Sequence, residues 1–266
     1  MEFYVKVFWA IGSFLFGAVL GSFLNVVILR VPLRESIVSP GSRCPKCHQP
    51  IRFYDNVPIL SFIILGGRCR DCGARISWCY PLIEFISGCL SLGLYYKFGV
   101  TPAYLILFVF CASMLVIFWI DLDHMIIPDT ITLGGLIVGV IATVFGIIPE
   151  MTWKMSVIGL LLGALVLYIP AVIYEKIRGI EGLGGGDVKL LAMIGAFCGP
   201  YGVLFVLIVS SFFGALAGIL NIVFRGGAST SHIPYGPFLA SAAVIYIFAG
   251  QIIIQKFLAL ELSVLI

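Results

Sequence analysis

Two sets of residues in this sequence have types and spacings that could do chemistry. The first is Cys44-Pro45-Lys46-Cys47 and Cys69-Arg70-Asp71-Cys72, two C-x2-C knuckles separated by 21 residues. Each knuckle lets two thiolates approach one metal from a tight turn, and two knuckles complete a closed tetrahedral zinc site. Four cysteine ligands leave no open position, so such a metal is structural. His48 borders the first knuckle and reads as a loop histidine rather than a ligand. Cys79, Cys89, Cys111 and Cys198 lie in or beside apolar runs and read as small core hydrophobes.

The second set is acidic: Glu84, Asp121, Asp123, Asp129 and Asp187, all in or beside apolar runs. A carboxylate at membrane depth is costly and usually functional. Asp121 closes one apolar run in Ile120-Asp121-Leu122-Asp123-His124-Met125-Ile126-Ile127-Pro128-Asp129, and Asp187 opens another after Gly184-Gly185-Gly186. Two close carboxylates share one proton, because both cannot ionise cheaply. The ionised one can then activate water while the protonated one polarises a carbonyl, which is the chemistry of aspartic proteolysis. Three successive glycines can take positive φ and let an extended substrate approach the backbone. Either feature alone has a plainer reading, a hinge loop or a solvated helix cap. Helix dipoles favour a negative charge at the N-terminal Asp187 over the C-terminal Asp121, so the shared proton is expected on Asp121.

The elements that must position these groups are apolar. Of 266 residues, 61% are hydrophobic and 11% charged, against about 25% charged in soluble domains; mean hydropathy is +1.14. Continuous apolar runs near the length of a helical span exclude a β-barrel pattern. The runs are Val7–Leu29, Tyr80–Tyr96, Pro102–Ile120, Ile131–Ile148, Met155–Tyr174, Val188–Cys198, Tyr201–Phe224 and Tyr235–Ile254. The expected fold is therefore an all-α polytopic membrane protein of about eight transmembrane helices with a small zinc-ribbon-like loop domain. The sixth run is short, roughly 16 Å at the helical rise, and Gly199-Pro200 separates it from the seventh. It either starts inside the bilayer or borrows the glycines before it. The first run has its arginines after the apolar core, opposite to a cleaved signal peptide, so it is expected to remain as a span.

The expected organisation is a first helix to residue 29, a cytoplasmic four-cysteine loop over 30–79, and a seven-helix core over 80–266. With the 30–79 loop inside, twelve lysines and arginines fall on the inner side and only Lys6, Lys97, Lys154 and Lys256 outside. The positive-inside rule then places both termini outside and the cysteine loop, Asp121 and Asp187 on the cytoplasmic side. In that compartment thiols stay reduced, which favours zinc over disulfides.

These residues resemble the bacterial type IV prepilin peptidase family. The resemblance rests on Gly21-Ser22-Phe23-Leu24-Asn25-Val26-Val27 with Arg30-Val31-Pro32, the four-cysteine loop, Tyr80-Pro81-Leu82-Ile83-Glu84, the Asp121 segment ending in Ile127-Pro128-Asp129, Gly184-Gly185-Gly186-Asp187-Val188-Lys189, and Ile233-Pro234-Tyr235-Gly236-Pro237-Phe238-Leu239-Ala240. The cysteine loop, which simpler archaeal preflagellin peptidases lack, is complete. The resemblance implies a bifunctional inner-membrane enzyme. It would cut type IV prepilins and type II secretion pseudopilins after a glycine, then methylate the new N-terminal amine with S-adenosylmethionine. It implies Asp121 and Asp187 as the catalytic pair.

Glu84, Gly184, Gly185, Gly186 and Lys189 are the further candidates for contacting substrate; Glu84 reads equally as a paired structural acid, and Lys189 as a carboxylate partner or a snorkelling lysine. No nucleotide-binding fingerprint of the strand–turn–helix kind occurs, so the cofactor residues are unknown. Gly21, Asn25, Arg30 and Pro32 border the loop and could contribute, or could equally serve helix packing and helix exit. The partners implied are prepilin-like substrates and membrane lipid, with no nucleic acid. The rival readings are a presenilin-like intramembrane aspartyl protease without methyl transfer, which the cysteine loop and D-x6-P segment disfavour, and a transporter with acidic relay residues, for which internal symmetry is lacking.

Overall fold

The structure is a computed structural model that describes residues 2–179, 184–225, 234–250 and 253. Among these the chain is helical, with no strand and only two isolated β-bridges. The helices are α1 (Glu2–Arg30), a short α2 (Leu60–Ile64), α3 (Cys79–Phe98), α4 (Pro102–His124), α5 (Asp129–Val144), α6 (Trp153–Arg178), α7 (Gly185–Arg225) and α8 (Gly236–Ile245), which continues as a π-turn over Tyr246–Gly250.

Each expected apolar run falls on one of these helices. By length and hydropathy α1, α4, α6 and α7 suffice to cross a membrane, while α5 and Gly236–Gly250 are shorter apolar helices. Local signals set the ends. Thr152 caps α6 by accepting the Met155 amide at 3.3 Å, and Gly179 ends the helix at φ 69°. Pro102 opens α4, where its missing N–H costs nothing. The sixth and seventh runs form one element, broken at Gly199 with φ 68° and ψ −175°. The short sixth run thus borrows glycines, starting at Gly185.

Two compact units divide the chain, Met1–Val116 and Ile117–Ile266. In the first, α1 lies against α3 along the small residues Ser13, Gly17 and Gly21, spaced four apart on one helix face. A Cβ at Gly17 would collide with the Ser87 carbonyl and Ser91, and one at Gly21 with the Glu84 backbone. That closeness lets Ser87 donate to the Gly17 carbonyl at 2.7 Å and Ser91 to the Ser13 carbonyl at 2.6 Å. Small residues and hydroxyls at contacts are how helices associate where lipid removes the hydrophobic drive. Gly21 therefore serves helix packing here, and Asn25 donates to the Tyr80 carbonyl at 3.2 Å.

The second unit is built around the first part of α7. Residues Leu190 to Cys198 are buried, packed by Gly159 and Gly163 of α6 and by Gly135 and Gly139 of α5. Ser156 of α6 donates to the Ala196 carbonyl at 2.7 Å. The helix that begins at the triple glycine is thus the central one of its unit.

Candidate functional site

Asp121 does not close α4 but sits one turn inside its end. The Met125 amide bonds the Asp121 carbonyl at 2.9 Å, and Met125 turns the chain out at φ 55°. The Asp121 side chain is buried, 5% exposed, and its Oδ2 accepts the backbone N–H of Gly236 at 3.0 Å. Gly236 is the first residue of α8, so a helix N-terminus is directed at this carboxylate. Such termini are ready-made anion sites. The dipole of α4 alone is therefore an incomplete guide to where a shared proton rests, because the α8 terminus acts on Asp121 in the opposite sense.

Asp187 stands in the first turn of α7, its amide bonded to the Gly184 carbonyl at 3.1 Å. Its Oδ1 is buried and has no hydrogen-bond partner among the described residues. Asp187 interacts electrostatically with Asp121, and Ile127 joins their surroundings. The Ile127 side chain lies where a Cβ of Gly186 would go and also against Gly236, the residue bonded to Asp121. Two carboxylates 66 positions apart in sequence are thus gathered within one unit around one isoleucine.

Lys189, two residues beyond Asp187, donates to both oxygens of Asp129 at 2.7 and 2.8 Å. Asp129 opens α5, so this pair ties the start of α7 to the start of α5. Asp123 and His124 are exposed. Gly184 and Gly185 are open, with nothing packed where a Cβ would point at Gly185. Sequence reasoning gave Gly236 no role. Its signal was Tyr235-Gly236-Pro237, a glycine placed just before a proline that starts a helix.

Glu84 lies in the other unit, on α3. It is 9% exposed and accepts the Ile59 amide through Oε2 at 2.7 Å. That partner is a loop backbone.

The cysteine segment is a two-fold repeat with an offset of 25 residues. Cys44 N–H bonds the Gln49 carbonyl at 3.0 Å and Cys69 N–H the Ala74 carbonyl at 2.8 Å; the bridges Arg43–Pro50 and Arg68–Arg75 correspond in the same way. His48 and Gly73 hold equivalent left-handed positions, φ 57° and 69°, so His48 is a turn residue and no ligand. The four Sγ atoms of Cys44, Cys47, Cys69 and Cys72 lie within 4.8 Å of one another, and Cys44 to Cys72 is 3.8 Å. A tetrahedron with Zn–S bonds of about 2.3 Å has an edge of about 3.8 Å, so the donor set fits zinc. Backbone N–H groups of Cys47 and Lys46 directed at its sulfur pull the Cys44 thiol down to about 7, as suits a ligand that binds as thiolate.

Two family models match the chain: the bacterial peptidase A24 N-terminal domain over residues 15–98, and the type IV leader peptidase family over residues 108–219. Three relatives are each called prepilin leader peptidase/N-methyltransferase. The protein from Burkholderia pseudomallei is 35% identical over 88% of this chain and 83% of its own length. That from Pseudomonas aeruginosa is 34% identical over 92% of each chain, and that from Aeromonas salmonicida 36% over 92% of each. No solved structure matches.

Proposed function

Since this chain belongs to the type IV leader peptidase family and carries its protease and methyltransferase activities, we propose that Asp121 and Asp187 are the carboxylates that cut the leader of prepilin-like substrates. The observation that supports the pair most directly is their common setting around Ile127, with Asp121 bonded to the α8 terminus and Asp187 holding a buried, unpartnered oxygen. One carboxylate draws a proton from water as that water attacks the scissile carbonyl. The other donates a hydrogen bond to the carbonyl oxygen and then protonates the leaving amine. Gly184 and Gly185, open to approach, receive the extended strand around the scissile bond, with Gly186 packed on Ile127 behind them.

The substrates are type IV prepilins and pseudopilins, cut after glycine at the cytoplasmic face of the inner membrane. Twelve of sixteen lysines and arginines on the loops assigned inside support that orientation, with both termini in the periplasm. Cys44, Cys47, Cys69 and Cys72 would hold one structural zinc, which supplies a cross-link to a segment with little core of its own. S-adenosylmethionine is the methyl donor for the new N-terminus. The presenilin-like alternative, a protease without methyl transfer, is not favoured, because the relatives that align along most of the chain are named for both activities.

The test is mass spectrometry of a pilin precursor co-expressed with the enzyme. A mature chain starting after the glycine and heavier by one methyl group is expected. With Asp121→Asn or Asp187→Asn the precursor should persist uncut; normal processing by either variant removes that residue from the pair.

A further inference from the structure

The first unit contains a cavity of about 300 Å³ between α1 and the loop that follows it. Ser22, Phe23, Val26 and Arg30 of α1 line it together with Asn56 and Pro58. From this cavity we infer the binding site of the methyl donor, S-adenosylmethionine; the inference rests on the methyltransferase reading above.

Four features of the cavity match that ligand. Its volume is at the lower end of small-molecule sites, about 300–1,000 Å³. Arg30 is fixed in place: Nη1 bonds the Ser36 carbonyl at 2.9 Å and Nη2 the Gly41 carbonyl at 3.3 Å. A guanidinium has five N–H groups, so a cation already oriented in the cavity wall keeps donors for a carboxylate, the group that ends the methionyl arm. The ring of Phe23 offers a π face, which attracts cations including ligand cations such as a sulfonium. Asn56 and Ser22 supply polar groups suited to a ribose or purine edge, while Val26 and Pro58 give apolar wall.

The surroundings look built to hold this shape. Pro58 precedes Ile59, whose amide is clamped by buried Glu84, and Ser22 lies beside the same carboxylate. Glu84 is thus a positioning residue for the cavity wall. The structure also sorts the residues that border the loop. Gly21 and Asn25 are committed to packing and to the Tyr80 carbonyl, whereas Arg30 lines the cavity. The matched segment 15–98 contains this cavity, and the separate segment 108–219 contains both aspartates, so each activity has its own place in the sequence. In the transfer itself the neutral amine of the cut substrate attacks the methyl carbon. The C–N bond forms as the C–S bond breaks, sulfur keeps the electron pair as a neutral thioether, and the amine loses one proton to solvent.

Two measurements on the purified full chain test the site. The first is ultraviolet cross-linking of methyl-tritiated S-adenosylmethionine to the unmodified protein, followed by peptide mapping. Label on peptides covering 19–42 or 56–58 is expected, and label confined to residues beyond Ile117 overturns the assignment. The second is equilibrium binding of the same compound. Val26→Trp, which fills the cavity, and Arg30→Gln, which removes the cation, should each weaken binding roughly tenfold or more. Unchanged affinity in both variants, or a copurified phospholipid that the donor does not displace, overturns it too. If the unmodified chain binds donor and methylates a cut pilin peptide while both variants bind equally, only the site is wrong. If it neither binds nor methylates, the methyltransferase reading fails with it.

Discussion

Glu84 of α3 holds the backbone of Ile59 at 2.7 Å, and Ile59 is a β-branched residue at φ 64°. A left-handed conformation at such a residue is strained by about 1–3 kcal/mol and persists only where the surroundings enforce it. Glu84 lies five residues inside α3, about 7.5 Å along the helix, so the clamp draws the loop down beside the helix below its start. Glu84→Gln keeps an acceptor oxygen for the amide and should leave the 53–64 segment ordered. Glu84→Ala leaves the Ile59 amide without its partner, at about 1–3 kcal/mol, and should release the loop. Hydrogen exchange at Ile59 and Leu60 reads this directly. A purely substrate-contacting Glu84 would instead raise KM in both variants with exchange unchanged.

Gly236 is constrained by Asp121. A Cβ there would collide with Oδ2 of the carboxylate and press on Ile127. Gly236→Ala should therefore displace the Asp121 carboxylate and cut kcat for leader cleavage toward the loss of the Asp121→Asn variant, about 10²–10⁴-fold for a group in general acid–base catalysis. Donor binding in the other unit should be unaffected. Full cleavage activity in the alanine variant would show that the Gly236 amide does not set the carboxylate's position.

Lys189 and Asp129 form an exposed pair, their side chains 41% and 57% accessible. Exposed ion pairs contribute about 0–1 kcal/mol, so Lys189→Ala should hardly change thermal stability. The pair stands near the starts of α7 and α5, two residues from Asp187, and its loss should lower kcat for cleavage more than it lowers the melting temperature. The exchanged pair Lys189→Asp with Asp129→Lys should recover part of that rate. A drop in stability matching the drop in rate, with no recovery, would assign the pair a purely structural role.

Much of this was readable in sequence because membrane helices and cysteine knuckles are local signals. A continuous apolar run fixes a helix through backbone satisfaction in lipid, and Gly199-Pro200 fixed the break in α7 through a conformation that glycine adopts freely. The knuckles were legible from spacing, and their 25-residue repeat leaves a trace in Gly41 and Gly66, Arg43 and Arg68, and Ile51 and Ile76; the backbone bonds that close each turn at Gln49 and Ala74 were hidden, since those two residues share no side-chain type. Gly236 was only half legible: Gly236-Pro237 marks a helix start but not what that start faces. Its contact with Asp121 joins residues 115 positions apart through a main-chain N–H, which every residue but proline possesses. The bond of Glu84 to the Ile59 amide was equally out of reach, because a buried acid near an interface signals a bond without saying to what.

The cysteine site gives the last expectation. Metal analysis of the purified chain should find about one zinc per chain, and Cys69→Ser should lose it. Removal by a chelator should open residues 42–76 to proteolysis while the helices stay intact, because that segment is held by two knuckles, a few turns and the bidentate pair of Arg70 with Asp55 at 2.6 and 2.8 Å. Uptake by the metal-free chain should depend on pH with a definite sign. Thiolates bind metal and thiols do not. The Cys44 thiol is pulled down to about 7, but its neighbour Cys47 is pushed up by loss of water and by the surrounding thiols, so protons compete with metal on both sides of neutrality, affinity should fall steadily as pH drops, and binding should release protons. The Asp55 carboxyl is held below its ordinary value by the Arg70 hydrogen bonds. A depressed acid stabilises the folded form above its unfolded pKa and loses that effect as pH falls through the folded value. Acid should therefore act on this segment in two stages, metal loss first and loss of the Arg70 pair only below the usual carboxylate range. Zinc affinity that is flat from pH 8 to about 5.5 would show that thiolates do not hold the metal.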